Sequence, residues 1–521
     1  MARSVQVREA RERKFDAQPK MDGGLNDVSD DSVLLPNQLR RTTNGRLTDY
    51  GAITKRGGTR RTSAAVLSAH AVQNGYTWRK DSGVPDVLAV ANGVLYTAAY
   101  GAFPWTWTSR TGALSTTGKP SFAQFRDGTN DCVYIADGGL LNRWSGSSLS
   151  INLANTVASS AIAVHNQRLW AVGNSAAPDS VFYSGLNNGD SLGNASFSGT
   201  GGPGGQIVVR TFGDEVLVGL ASVNTSLLLF HRRGISRITG FGQDDITVAP
   251  QGVTADVGTI SSGSIVSVGN VAYFISERGL YRCNEAEVAA VGTAETPDIL
   301  LPILRTLSSA QFDLIRAEFN RGTRELWITV PGYGCYQYHT VLNAWSGPWD
   351  GGYVSPDTTA LWETLDTAGL PVLLKGDASG WVSLCDAPDV FLDNVAANGT
   401  GGTRYALTAQ MHRMYCGDDA EAKAIRWIYL TAALKGSDQT RVEWNSGDSF
   451  GSFSLPPSTD GTWGGAGTVW GTGTWGGAGS QSYRVPCGGT GYYFDISIID
   501  SGAALPVFSR VQLETFALGR R

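Results

Sequence analysis

The sequence predicts an all-β protein: a β-propeller of six or seven blades, an N-terminal extended arm and a C-terminal β-sandwich. Three observations predict it. Gly makes up 66 of 521 residues while charged residues are 17% and aromatics 10%, and many glycines and aromatics with few charges suit short strands joined by tight turns. A short apolar run, a turn and a second run ending in an aromatic recur between residues 63 and 400. Gly93 to Gly138, Gly234 to Gly279, and Gly279 to Arg324 are each 45 residues apart, and a period of roughly 40–50 with four strands per unit marks a propeller.

Taken in order, residues 1–62 read as the extended arm. Arg3, Arg8, Arg11, Arg13 and Lys14 begin it, in a stretch that reads as a solvated terminus or as a docking arm. Residues 23–61 then run GGLNDVSDDSVLLPNQLRRTTNGRLTDYGAITKRGGTRR. No helical period passes through this block, and Pro36 and Asn44-Gly45 mark chain reversals, so it reads as extended segments joined by turns. It closes on a dense basic run containing Lys55, Arg56, Arg60 and Arg61, a candidate patch for a partner's acidic groups.

Residues 63–400 read as the propeller. Seven hairpins are visible: Val87 to Ala99, Cys132 to Trp144, Ala161 to Gly173, Leu227 to Gly240, Ala272 to Asn284, Arg316 to Val330 and Val372 to Asp386. Each sets two strands around an Asn-Gly, Asp-Gly or Arg-Gly type turn. Gaps of 30 and 56 residues between some of them leave the blade count at six or seven. Apolar spacing in Ile299 to Phe319 reads as a short helix with Ser308 or Ser309 as N-cap. Residues 187–206 are a Gly, Ser and Asn loop, of the kind that is functional or mobile.

The Gly-rich stretch Asn394 to Gly402 marks a boundary, and residues 401–521 read as the sandwich, with Phe494, Ile496 and Ile498 alternating against Asp495 and Ser497. Within it Trp463, Trp470 and Trp475 stand among Gly and Thr. Such tryptophans cover a sandwich edge, fill a subunit contact or stack on sugar rings.

Composition excludes several classes. A net charge of −5 argues against a dedicated nucleic-acid binder, although a conduit for DNA should repel phosphates and not grip them. No eighteen-residue apolar run or secretory signal is present, so synthesis and assembly in a cytoplasm are expected. The six cysteines are scattered and read as buried free thiols. The five histidines form no ligand motif, and no nucleophile elbow or phosphate loop occurs. No enzyme activity, cofactor or metal is expected.

The opening block resembles the tail nozzle and hub proteins of short-tailed bacteriophages, also described as tail tubular or tail stabilisation proteins. The positions that carry the resemblance are Gly23, Gly24, Leu25, Asn26, Leu35, Pro36, Asn44, Gly51, Lys55, Arg56 and Gly58. The Arg278 to Tyr281, Glu325 to Pro331 and Tyr336 to Ser346 segments resemble a blade of the same family, so the resemblance covers roughly residues 20–400. It implies a structural virion protein: a homohexameric ring below the portal-adaptor that lines the DNA exit channel and anchors tail fibres or spikes. Genomic DNA would pass through without specific binding. The chain departs from the larger nozzle proteins in being short. The alternative reading is a carbohydrate-binding or glycan-hydrolysing propeller with a lectin-like module, motivated by Trp463, Trp470 and Trp475.

Overall fold

The computed structural model describes residues 13–519 apart from 19, 82, 111, 129, 200, 213–215, 241–250, 255, 294–296, 354–357, 367, 388–389, 435–438 and 456–479. Among the described residues the chain is all-β, with many small antiparallel sheets and helix confined to short turns. Seven of the sheets have four strands each and follow one another along the sequence. The first is Val72–Trp78, Asp86–Ala91, Val94–Ala99 and Thr108–Ser109.

Turn chemistry explains how these strands reverse. The two-residue turns at Asn92-Gly93 and Asn166-Gln167 have positive φ at both positions (49° and 72°, 48° and 59°), the mirror-image turn whose twist matches paired strands and which Asn and Gly adopt most readily. Each of the seven hairpins visible in the sequence lies in a different four-stranded sheet. Five of them are second and third strands, whereas Ala161 to Gly173 and Arg316 to Val330 cover first and second strands. That change of phase produces the irregular gaps.

Packing links each sheet to the next. Alternate residues of one strand point to opposite faces: Leu227 and Leu229 of the fourth sheet pack on Trp170 and Val172 of the third, while Leu228 and Phe230 pack on Ala272 and Phe274 of the fifth. Similar clusters join the remaining neighbours. One joins the seventh sheet to the first through Trp362, Leu374, Val72 and Val87. The first strands also touch in succession, and Ala360–Leu365 of the seventh sheet returns to Val72–Trp78. The succession of sheets therefore closes on itself.

The seventh sheet takes its fourth strand from the other end of the chain. Gly58–Arg61 pairs antiparallel with Val382–Ala387, with Arg61 opposite Ser383 and Gly58 opposite Ala387. Gly58 is required there, because a Cβ would lie 2.0 Å from the Leu392 carbonyl oxygen.

Two six-stranded sheets complete the molecule, facing each other across one core that includes Ile428, Val442, Ile496, Ile498 and Phe508. The alternation read in Phe494, Ile496 and Ile498 holds, since all three are buried there. Five of the twelve strands come from residues before 56: Arg13–Gln18, Gly24–Leu25, Gln38–Thr43, Gly45–Leu47 and Ile53–Lys55. Val507–Gly519 pairs with Ala422–Ala433 along its length and, in succession, with Ile53–Lys55 and Arg13–Gln18. The expectation of an extended arm over residues 1–62 is corrected accordingly. Its described part consists of strands whose Leu39, Leu47 and Ile53 have too few local neighbours to be buried, and which are buried against strands more than 350 residues away.

A second correction concerns Ile299 to Phe319. Two short helices, Leu300–Leu304 and Ser309–Phe312, replace the single one, and Arg316–Asn320 is already a strand. Ser308 is the N-cap, its backbone N–H donating to the Gln311 side chain at 2.9 Å in a capping box. The loop 187–206 folds back through a 3-10 turn at Gly189–Ser191 into Gly205–Val208, the fourth strand of the third sheet. No helix among the described residues is long and apolar enough to cross a membrane.

Candidate functional site

The basic run read as a partner-binding patch lies mostly inside the protein. Arg56 is fully buried at the junction of the seven-sheet body and the six-stranded sheets. All five of its N–H donors are used: Nε on Asn44 Oδ1 (2.9 Å), Nη1 on the Gly57 carbonyl (3.1 Å) and Asp393 Oδ1 (2.8 Å), Nη2 on the Asp350 carbonyl (3.2 Å) and Asp393 Oδ2 (2.6 Å). The guanidinium stacks 3.7 Å over Tyr405 and faces Tyr353 and Trp349. Burial alone would lower its pKa, but the Asp393 carboxylate holds it above the ordinary value. Asn44, in the left-handed region at φ 55°, accepts from Arg56 and donates to Asp350 Oδ1 (2.6 Å) and to the Ala406 carbonyl (2.8 Å). Lys55 is likewise buried, donating to the Gly502 carbonyl at 2.6 Å beside Asp500.

Arg60 and Arg61 are half-buried in the closing strand. Arg60 donates to the Ala397 carbonyl and faces Phe103; Arg61 lies 3.9 Å over Trp381. At Lys55 and Arg56 the surface reading is thus corrected, because each charge is matched internally and shielded from any partner. Trp463, Trp470 and Trp475 lie outside the described residues.

The open site is a different one. A cavity of about 830 Å³ is lined by residues in or beside the first strands of all seven sheets. Arg316 opens its strand, and Arg321 follows the end of the same strand; at about 3.3 Å per residue they are roughly 16 Å apart. At the Arg321 end, Glu363 Oε1 accepts from Arg79 (2.9 Å) and Arg321 (2.8 Å), and Gln124 donates to the Arg79 carbonyl (2.8 Å). At the other end, Arg316 Nη1 donates to the carbonyls of Asp313 (2.8 Å) and Ile315 (2.6 Å), and Lys119 Nζ donates to the same Asp313 carbonyl. Among the described residues no three His, Cys, Asp or Glu side chains cluster as a metal ion would require. The six cysteines are free, and burial pushes the thiols of Cys132, Cys283 and Cys385 up to about 12.

Sequence reading missed this lining because its members come from seven separate stretches. The local signal present was Arg316-Ala317-Glu318, where two charged residues share one face of a strand whose other face, Ala317 and Phe319, is apolar.

No protein-family model matches the chain, and no curated protein matches it. Among solved structures it is similar to the extracellular domain of a candidate one-component system from B. thetaiotaomicron, at 8% identity and a TM-score of 0.40, over 63% of this chain. The chain spans 40% of that protein. A likeness of this size carries no functional argument.

The cavity makes stability depend on pH. Glu318 touches cavity solvent yet is walled in by protein, and this enclosure, with Glu363 nearby, pushes its carboxyl up to about 7 against the pull of the Phe319 N–H and Arg321. The folded protein holds a proton that the unfolded chain releases near 4.5. The contribution of Glu318 to stability is therefore greatest below that value, falls as pH rises towards 7, and levels off above it, by at most about 3 kcal/mol. Glu318→Gln is expected to raise the thermal midpoint at pH 8 and leave it nearly unchanged at pH 4, by scanning fluorimetry. An equal shift at both values would remove the role of ionisation.

Proposed function

We propose that this chain is a structural protein of a bacteriophage tail, of the nozzle or hub kind, and that its seven four-stranded sheets are the blades of a β-propeller. The closed succession of inter-sheet clusters supports the propeller. The observation that carries the tail reading is what the residues of the resemblance do. Gly24 sits at φ +65° where a Cβ would lie 2.5 Å from the Trp345 carbonyl oxygen, and Gly51 sits at φ +75° against Asp22. Asn44 and Arg56 hold the junction, and Gly58 lets the closing strand approach Leu392. These five positions are held by close backbone approach or buried hydrogen bonds, which is what proteins sharing the architecture would have in common.

On this reading the subunit joins a ring, commonly sixfold, below the portal-adaptor. Its work is mechanical: it forms the wall of a conduit and carries fibres or spikes outside. The net charge of −5 suits a wall along which DNA slides. A buried seam between the two bodies suits a part that bears load. The test is negative-stain microscopy of purified particles of the virus carrying the gene, labelled with an antibody against this chain. Label in a ring at the tail below the head vertex is expected; particles with unlabelled tails would refute the proposal.

A further inference from the structure

Arg316 differs from every other charged group described around the cavity. It is 6% exposed, and no carboxylate lies within ion-pair distance of it among the described residues. Its Nη1 hydrogens are used on two backbone carbonyls, leaving Nε and Nη2 without a partner among the described residues. Arg56 shows what a satisfied buried guanidinium looks like in this chain, with five donors placed and a carboxylate in contact. Arg79 and Arg321, in the same cavity, share Glu363. Lys119 meets Arg316 at one neutral carbonyl oxygen, so two cations converge there, and the exposed Asp313 carboxylate, which attracts both, is within ion-pair distance of neither among the described residues.

Enclosing a cation with no carboxylate in contact is unfavourable. Burial lowers the pKa of Arg316 to about 10; Lys119 is exposed along its side chain, but partial shielding of its ammonium at the cavity mouth, together with Arg316, lowers its pKa to about 8. Space has been left for the guanidinium: a Cβ on Gly263 would lie 2.6 Å from Arg316 Nη1. Thr117 and Ser262, neighbours in sequence of Lys119 and Gly263, bring hydroxyl groups to the lining.

We infer that the Lys119–Arg316 end of the cavity binds a small hydroxylated organic anion, its carboxylate or phosphate held by the two cations. A guanidinium presents paired N–H groups that match either oxyanion, and the lysine adds a point charge at the mouth. The cavity volume admits a molecule of monosaccharide size. This site is independent of the tail proposal and could serve a free subunit or an assembled one.

Calorimetric titration of the full chain with glucuronate, glucose 6-phosphate and glucose tests it. At least one of the two anions is expected to bind with millimolar or better affinity and glucose not to bind; which anion binds tells carboxylate from phosphate. Lys119→Gln, an exposed change that leaves the fold intact, should weaken that binding about tenfold or more, as loss of one charge partner does. Arg316→Gln should abolish it, with Arg210→Gln on the outer surface as the unaffected control. Absence of binding by both anions, equal binding of glucose, or full affinity in Lys119→Gln would overturn the inference.

Discussion

A chain that begins at residue 63 is expected not to fold. The deletion removes Gly58–Arg61 and leaves the seventh sheet with three strands and an open edge beside Val382–Ala387. It also strips Met21, Leu39, Leu47 and Ile53 from the core between the six-stranded sheets, where none is more than 2% exposed. Each such side chain contributes about 1.5–3 kcal/mol by burial. Four of them reach roughly 6–12 kcal/mol, which is comparable to the entire stability of a typical domain at about 5–15 kcal/mol. The expected result is an aggregated product, or a soluble one without a cooperative thermal transition by circular dichroism. Had these residues formed an arm outside the two bodies, the truncated chain would melt at the temperature of the intact protein. That outcome would overturn the described topology.

Replacing Arg56 should have the largest effect of any single side chain described. Arg56→Ala leaves Asp393 buried without its partner and empties a place bounded by Tyr405, Tyr353 and Trp349. Breaking a buried pair from one side costs about 3–5 kcal/mol. Arg56→Lys should recover only part of the loss, since three donors on one nitrogen replace five on a planar fork. Arg56→Met combined with Asp393→Leu should be less damaging than Arg56→Ala, because the stranded carboxylate is gone. Urea unfolding midpoints at constant slope measure all three. If Arg56→Ala unfolded within about 1 kcal/mol of the parent, as an exposed basic residue would, the seam would not be the fastening described above.

Local signals in the sequence go a long way towards the seven sheets. Asn92-Gly93 and Asn166-Gln167 mark hairpins because their turn requires left-handed backbone, and alternation in Leu227 to Phe230 assigns strand faces without knowledge of the neighbours. What escaped is whatever depends on residues distant along the chain. Lys55 and Arg56 are surface-like by residue type, and only Asp500 and Asp393, far downstream, reveal them as buried. Arg316 to Phe319 fits a helical and a strand period about equally, and pairing with Glu325–Val330 decides the matter. The cavity lining is assembled from seven strand starts that no local window contains.

The closing strand also sets a timetable. Gly58–Arg61 is made more than 300 residues before its partner Val382–Ala387, and Arg13–Gln18 more than 480 residues before Val507–Gly519. At roughly 5–20 residues per second, the earliest strands remain single for about 20 seconds or longer. The seven-sheet body can close once Val382–Ala387 has emerged, whereas the core between the six-stranded sheets must wait for Val507–Gly519. A stalled or prematurely ended chain would present unpaired strand edges, which makes it a substrate for chaperones and proteases before it can become part of anything larger.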